Sequence, residues 1–275
     1  MRIVIAVLVV AACGSRPGSG DDMPGDDASV DGDGAVNMVD LPPVNAKFDY
    51  QLGGKYTPPA GVTVVSRDRR VAPAEGLYNI CYVNGFQTQP AEASYWLDLH
   101  PDLILRDAAG NPVMDPDWNE MLLDIRLAEQ RAAISSIVGG WIQECRNLNY
   151  DAVELDRLDS FTRSQGLLVE QQAVYMMKLF ADKAHAAGLA IAQKNAVELV
   201  PRKTELGTDF VITEECNRFS ECDQYMAGYG DHVIVIEYRQ QDFNAGCLAY
   251  PNLSIVLRDI NVTTPQMAGY VYDGC

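Results

Sequence analysis

Ala152-Val153-Glu154-Leu155-Asp156 and Phe210-Val211-Ile212-Thr213-Glu214-Glu215-Cys216 decide the reading of this chain. In each, a short apolar run stops abruptly at carboxylates. An unpaired carboxylate is costly to bury, so it belongs where a strand leaves the core. In a parallel α/β barrel, active sites form at the carboxyl ends of the strands. Two acidic strand ends meeting in space would make a carboxylate pair, and such pairs split glycosidic bonds.

Six more runs rich in Val, Ile, Leu and Tyr surround these two, giving eight: 48–52, 62–66, 78–83, 152–156, 189–193, 209–213, 233–237 and 254–257. Most lack clean alternation, as strands buried on both faces do. Helical spacing of apolar residues separates several of them. One stretch, 126–147, carries Leu127, Ile134, Ile137, Val138 and Trp141; another, 167–187, ends at Gly188, a helix terminator. Strand–helix–strand order implies parallel pairing with right-handed crossovers. Eight such strands predict an α/β fold, a single (β/α)8 TIM barrel. The alternative, a doubly wound open sheet, lacks a glycine-rich dinucleotide fingerprint. The stretch 86–123 has no clear strand and reads as a long loop with short helices over the barrel mouth.

Composition narrows the function classes. The chain has 275 residues, 48% of them hydrophobic, enough for one large core, and a formal charge of −17, which argues against a basic nucleic-acid groove. An acidic mouth would attract cationic ligands; the plain alternative is solvated surface charge. The three histidines, His100, His185 and His232, have no neighbours at metal-ligand spacing. A zinc site or Ser-His-Asp triad is unsupported, and no cofactor or metal is expected. His185 lies where a helix ends, a favourable place for a cation.

The amino terminus reads as an address. Met1-Arg2 is a short basic start, the following apolar run is too short to span a bilayer, and Val10-Ala11-Ala12-Cys13-Gly14 resembles a bacterial lipoprotein signal. Residues 1–13 are thus expected to be a signal segment with Cys13 lipidated, the alternative being an ordinary secretory signal. Residues 14–43, rich in Gly, Asp, Ser and Pro, read as a disordered tether, and 44–275 as the folded domain. Export, anchoring in a bacterial envelope and an oxidising compartment follow. Of seven cysteines, six remain after Cys13. Cys216 with Cys222, Cys247 with Cys275 and Cys81 with Cys145 are candidate disulfides; buried free thiols are the alternative.

Polar residues gather at nearly every strand end: Asp49-Tyr50, Asn84, Glu154 and Asp156, Lys194-Asn195, Glu214-Glu215, Glu237-Tyr238 and Arg258-Asp259. An enzyme mouth needs this repetition and a purely structural barrel does not. Glu154 lies on the same face of its strand as Asp156 and could be a buried partner of Lys194. Crowding among Glu154, Asp156, Glu214 and Glu237 could raise one carboxyl pKa, which Lys194 would oppose. Only one of Glu214 and Glu215 should face the centre. Asp159 could cap the following turn. Trp96 and Trp118, in the mouth stretch, could stack on sugar rings, whereas Trp141 reads as core.

These segments together resemble glycoside hydrolase family 114, the endo-α-1,4-polygalactosaminidase-like family. The resemblance is carried by 48–54, 80–84, Trp118 with Leu123-Asp124-Ile125-Arg126, 152–156, Gln193-Lys194-Asn195 and Glu214-Glu215-Cys216. It implies a (β/α)8 barrel that cleaves α-1,4-linked galactosamine polymer with retention of configuration. It also implies an aspartate on the fourth strand, Asp156, as nucleophile, and a glutamate on the sixth, Glu214, as acid/base, with the roles exchangeable. Asp49, Tyr50, Asn84, Asp124, Glu154, Lys194, Asn195, Glu237 and Tyr238 would serve the substrate subsites. Arg157 and Thr213 depart from the asparagines frequent there in the family and bear on substrate preference. The competing class is a non-catalytic polysaccharide-binding lipoprotein on a barrel scaffold.

Overall fold

The structure is a computed structural model, and it describes residues 39–275. Eleven strands and eight α-helices follow in order. The strands are β1 (Phe48–Gln51), β2 (Val64–Asp68), β3 (Tyr78–Asn84), β4 (Met114–Asp115), β5 (Glu120–Met121), β6 (Ala152–Asp156), β7 (Ala190–Lys194), β8 (Phe210–Glu214), β9 (Val233–Glu237), β10 (Ser254–Arg258) and β11 (Tyr272–Gly274). The helices are α1 (Ala93–Leu99), α2 (Ala128–Asn147), α3 (Ser160–Arg163), α4 (Glu170–Ala186), α5 (Lys203–Leu206), α6 (Cys216–Phe219), α7 (Cys222–Tyr229) and α8 (Gln240–Ala249). The main sheet runs β1-β2-β3-β6-β7-β8-β9-β10-β11, parallel except for β11, which pairs antiparallel with β10. This is the expected (β/α)8 barrel, with all eight expected runs as its staves and one short strand added.

Strand parity divides the core in two. Phe48, Tyr50, Val64, Ile80, Ala152, Ala192, Ile212, Ile236 and Val256 fill the barrel interior. The alternate residues, such as Val153, Leu155 and Ile191, face outward and pack under α2 and α4. Val211, Val235, Ile255 and Leu257 do the same under α7 and α8. A parallel strand covered on both faces must be apolar at both parities, which is why the runs lack alternation.

Among the described residues no backbone ladder joins β10 to β1. Side chains close that seam instead. The buried Arg258 donates to Asp49 Oδ1 at 3.2 Å and to the carbonyls of Thr263 and Val271. Ala46 N donates to Ser254 Oγ at 2.8 Å. Gly53 N reaches the Val262 carbonyl, an approach so close that a Cβ on Gly53 would sit 2.3 Å from that oxygen. Three disulfides pin the outer layer: Cys81–Cys145 joins β3 to α2, Cys216–Cys222 joins α6 to α7, and Cys247–Cys275 ties the chain end to α8.

Three expectations need correction. The run expected at 62–66 forms its strand at Val64–Asp68, so Asp68, not Ser66, ends it. The stretch 86–123 has its expected short helix, α1, but it also forms the β4–β5 hairpin and packs around buried Leu103, Leu105, Leu122 and Leu123, where no strand was expected. Trp96 is fully buried there against Trp141, with ring centroids 5.7 Å apart, and cannot stack on a sugar. The expected signal segment with Cys13 and most of the expected tether lie outside the described residues, and the end of that tether, Val39 and Leu41, packs against the barrel interior.

Candidate active site

The inward parity of β6, β7 and β8 delivers the central groups. Glu154 and Asp156 point inward from β6, Lys194 from the end of β7 and Glu214 from the end of β8. Each strand is followed at once by a residue with left-handed backbone: Arg157 (φ 69°), Asn195 (φ 50°) and Glu215 (φ 56°). Left-handed non-glycine residues are uncommon, and such strain concentrates at functional sites. Here it turns the chain sharply after the last inward side chain, so that Asp156, Lys194 and Glu214 stand at the barrel mouth.

Lys194 Nζ is the hub. It lies 3.1 Å from Glu154 Oε1, 3.4 Å from Glu214 Oε2, 3.7 Å from Asp156 Oδ1 and 3.1 Å from the Tyr50 hydroxyl. Two of these distances bound the carboxylate pair. The Asp156 and Glu214 oxygens nearest Nζ can be no further apart than the sum of 3.7 and 3.4 Å, about 7.1 Å. Tyr82 donates to Asp156 Oδ2 at 2.7 Å, and the Arg157 backbone N–H donates to Oδ1 at 2.8 Å. Glu214 accepts from the Tyr238 hydroxyl and from Asn195 Nδ2 at 2.8 Å, while Asn195 Oδ1 accepts from the Glu214 backbone N–H at 2.8 Å. Glu154 lies beneath, fully buried, accepting from Tyr50 and from Ser66, each at 2.8 Å.

The charges sort accordingly. Burial pushes the Asp156 carboxyl up, but Lys194, Arg157 and its hydrogen bonds outweigh this and hold it far below the usual carboxylate range. Glu214 is also held low, against burial, chiefly by Lys194. Burial works on Lys194 in the opposite sense, and the three carboxylates overcome it, keeping the ammonium well above its ordinary pKa. Glu154 is raised by burial despite Lys194. Crowding therefore does not decide the pair, because Lys194 prevails over it for Asp156 and Glu214. Asp156 is the more deeply enclosed member, whereas the Glu214 side chain is 27% exposed.

These groups floor a cleft of about 300 Å³, walled by Tyr50, Asp68, Arg70, Tyr82, Trp118, Glu120, Arg157 and Tyr238. Glu214 also borders a second hollow, with Asp159, Glu198, Phe219 and Glu221. Trp118 (47% exposed) lines the main cleft and Phe219 (56% exposed) the second hollow. The mouth is not uniformly acidic: Arg70 and Arg157 line the main cleft, while the second hollow has no Lys or Arg among its lining residues.

Of the residues expected at the site, Tyr50, Asp156, Lys194, Glu214 and Tyr238 line the main cleft, and Asn195 borders the second hollow. Glu154 supports them from below. Asn84 stands one layer back, donating to Glu120 Oε2 at 3.0 Å and tying the hairpin to the barrel. Asp49, Asp124 and Glu237 are not among the lining residues. Asp49 is occupied by Arg258, Gln51 and Tyr56, and Asp124 by Arg126. Glu237 shares the outward parity of Val233 and Val235, accepts from the Asn217 N–H, and is pushed up to about 7 by burial. Glu215 pairs with Arg218, and Asp159 makes no cap hydrogen bond but an ion pair with Arg163 at 2.6 Å.

Sequence reasoning missed Tyr82, Arg157 as a cleft wall, and Glu120, whose carboxyl burial pushes up to about 7 against the pull of Arg157. The inward parity of Tyr82, two residues from Asn84 on β3, was the available signal. Glu120 gave none, because its two-residue strand is too short to show a period.

The model of glycoside-hydrolase family GH114 matches residues 31–275. Among solved structures, Aspergillus fumigatus Ega3 in complex with galactosamine superposes with a TM-score of 0.70 at 20% identity, over 88% of this chain and 100% of that one. The glycoside hydrolase domain of PelA from Pseudomonas aeruginosa gives 0.54 at 16% identity, over 83% and 98%. At such identities the likeness is one of fold. No curated protein sequence matches.

Proposed function

This chain belongs to glycoside-hydrolase family GH114, and from that premise we propose that it is an endo-acting hydrolase of α-1,4-linked galactosamine-type polysaccharide, working with retention through Asp156 and Glu214. The observation that carries this reading is the pair of carboxylates on one buried lysine at the floor of an open cleft. The oxygens of the pair nearest Lys194 Nζ lie within about 7.1 Å of each other, a limit that admits the roughly 5–5.5 Å spacing of retaining enzymes.

In this mechanism Asp156, the member held most firmly ionised, attacks the anomeric carbon. Glu214, more open and more easily protonated, gives its proton to the departing glycosidic oxygen as the bond breaks. Glu214 then takes a proton from water, whose oxygen attacks the same carbon and releases Asp156. Two hollows that share Glu214, each lined by an exposed aromatic residue, favour a chain lying across the site, hence internal cleavage. The galactosamine assignment draws on the family and on the galactosamine complex of the structurally similar Ega3. The acidic second hollow suits free ammonium groups.

Export belongs to the same proposal. Three disulfides fit an oxidising compartment, and Cys13 would carry the lipid that tethers the domain through residues 14–43.

The test is to incubate the full chain with partly deacetylated galactosamine polymer and count new reducing ends. Oligosaccharide release is expected. Its kcat/KM should fall as pH rises through the acid range, because Glu214 must be protonated to act and its pKa is held below the ordinary range. Polymer binding without cleavage would favour the non-catalytic reading.

A further inference from the structure

Arg157 follows Asp156 directly and forms part of the cleft wall, its side chain 12% exposed. Its Nε is buried and has no hydrogen-bond partner among the described residues. The nearest carboxylate oxygens stand off, Asp156 Oδ2 at 3.5 Å and Glu120 Oε2 at 3.9 Å, too far for good hydrogen bonds. The guanidinium lies over the Trp118 ring, with Cζ 4.6 Å from the centroid. A guanidinium presents its donors as a rigid planar fork that suits a planar oxygen acceptor. Leaving a buried donor unpaired is unfavourable, and so is holding an arginine at φ 69°, where asparagine or glycine sits more easily. Two local penalties at one residue on the cleft wall point to a ligand that relieves the first.

We propose that Arg157 receives the acetamido carbonyl of an N-acetylgalactosamine residue seated beside Asp156, and so makes that subsite selective for acetylated sugar. The assignment deepens the proposed function and rests on it. The ligand group must be an acceptor, since Arg157 offers only donors. It must be neutral, since the ionised Asp156 carboxylate beside the guanidinium repels an anion. A free 2-ammonium fails on both counts, having only donors to offer and a like charge. An acetamide oxygen meets both conditions, and the Trp118 ring beside it gives its methyl an apolar neighbour.

The test compares fully N-acetylated with fully deacetylated galactosamine oligomers as substrates of the full chain, for the wild type, Arg157→Asn and Arg157→Lys. Circular dichroism establishes that the variants are folded. The wild type should prefer the acetylated oligomer. Arg157→Asn, which removes the fork and suits the left-handed backbone, should lower the acetylated-to-deacetylated ratio of kcat/KM by about tenfold or more. Arg157→Lys, which keeps the charge and loses the fork, should also lower it, through a higher KM for the acetylated oligomer. A ratio unchanged in both variants overturns the assignment, as does a galacturonic acid oligomer that binds the wild type but not Arg157→Asn, which would make the acceptor a carboxylate. Cleavage by the wild type of neither galactosamine oligomer, nor of the partly deacetylated polymer, refutes the proposed function and Arg157 with it. Cleavage of both at an unchanged ratio refutes Arg157 alone.

Discussion

Asp156→Asn is expected to lower kcat by roughly 10⁴-fold or more while leaving polymer affinity nearly intact. That loss corresponds to about 5 kcal/mol of transition-state stabilisation. The amide keeps the shape of the carboxylate, and its oxygen can still accept from Tyr82, which donates at 2.7 Å. What it lacks is the charge that attacks the anomeric carbon. Stability should fall modestly at neutral pH. The folded pKa of Asp156 lies below its unfolded value, so its contribution is present above the unfolded pKa and is lost as pH falls through the folded one. Reducing-end kinetics with calorimetric binding of polymer separate the two effects. Loss of binding in parallel with rate would mean that Asp156 holds substrate rather than reacting with it.

Lys194→Met should cost most in stability. The methionine keeps the apolar stem but leaves Glu154, Asp156 and Glu214 without their shared cation. Breaking a buried charge network in this way costs about 3–5 kcal/mol, or on the order of 10 °C in melting temperature for a domain of this size. The folded pKa of Lys194 is raised, so its stabilisation is complete below the unfolded pKa and is lost only as pH rises through the folded value. Wild type therefore keeps the full benefit at pH 7. In the variant the three carboxylates titrate higher, so its deficit should shrink as the pH is lowered towards about 4, where they accept protons. The falling limb of any residual kcat/KM profile should move to higher pH, because Glu214 no longer feels the ammonium. Melting curves from pH 4 to 8 check the first expectation and pH–rate profiles the second. A deficit that grows on acidification would mean that Lys194 is not the counter-charge of these acids.

The barrel staves were legible because strands covered on both faces leave unbroken apolar runs, and all eight are present. The candidate pair, Asp156 and Glu214, was legible because carboxylates interrupt two of those runs where burial would otherwise continue. Parity within a run carried further information that adjacency obscured. Asp49 and Glu237 sit next to inward Tyr50 and Tyr238, and one residue of offset sends them elsewhere, to the seam with Arg258 or under the outer helices. Tyr82 was hidden as one more aromatic in an apolar run, although its hydroxyl holds Asp156. Trp96 and Trp118 share one stretch of sequence, and only tertiary packing makes the first core and the second a cleft wall. The left-handed backbone of Arg157 leaves no trace in composition or periodicity.

The central claim is that Asp156 becomes covalently bonded to the sugar while Glu214 manages the proton. Glu214→Gln should slow release of that intermediate but still permit its formation from a dinitrophenyl α-galactosaminide, whose leaving group needs no acid. Acid quenching, digestion and mass mapping of the peptides then read the site directly. The expected result is one galactosaminyl unit on the peptide carrying Asp156. An adduct on Glu154 or any other side chain, or turnover to the inverted anomer with no adduct at all, would contradict the account.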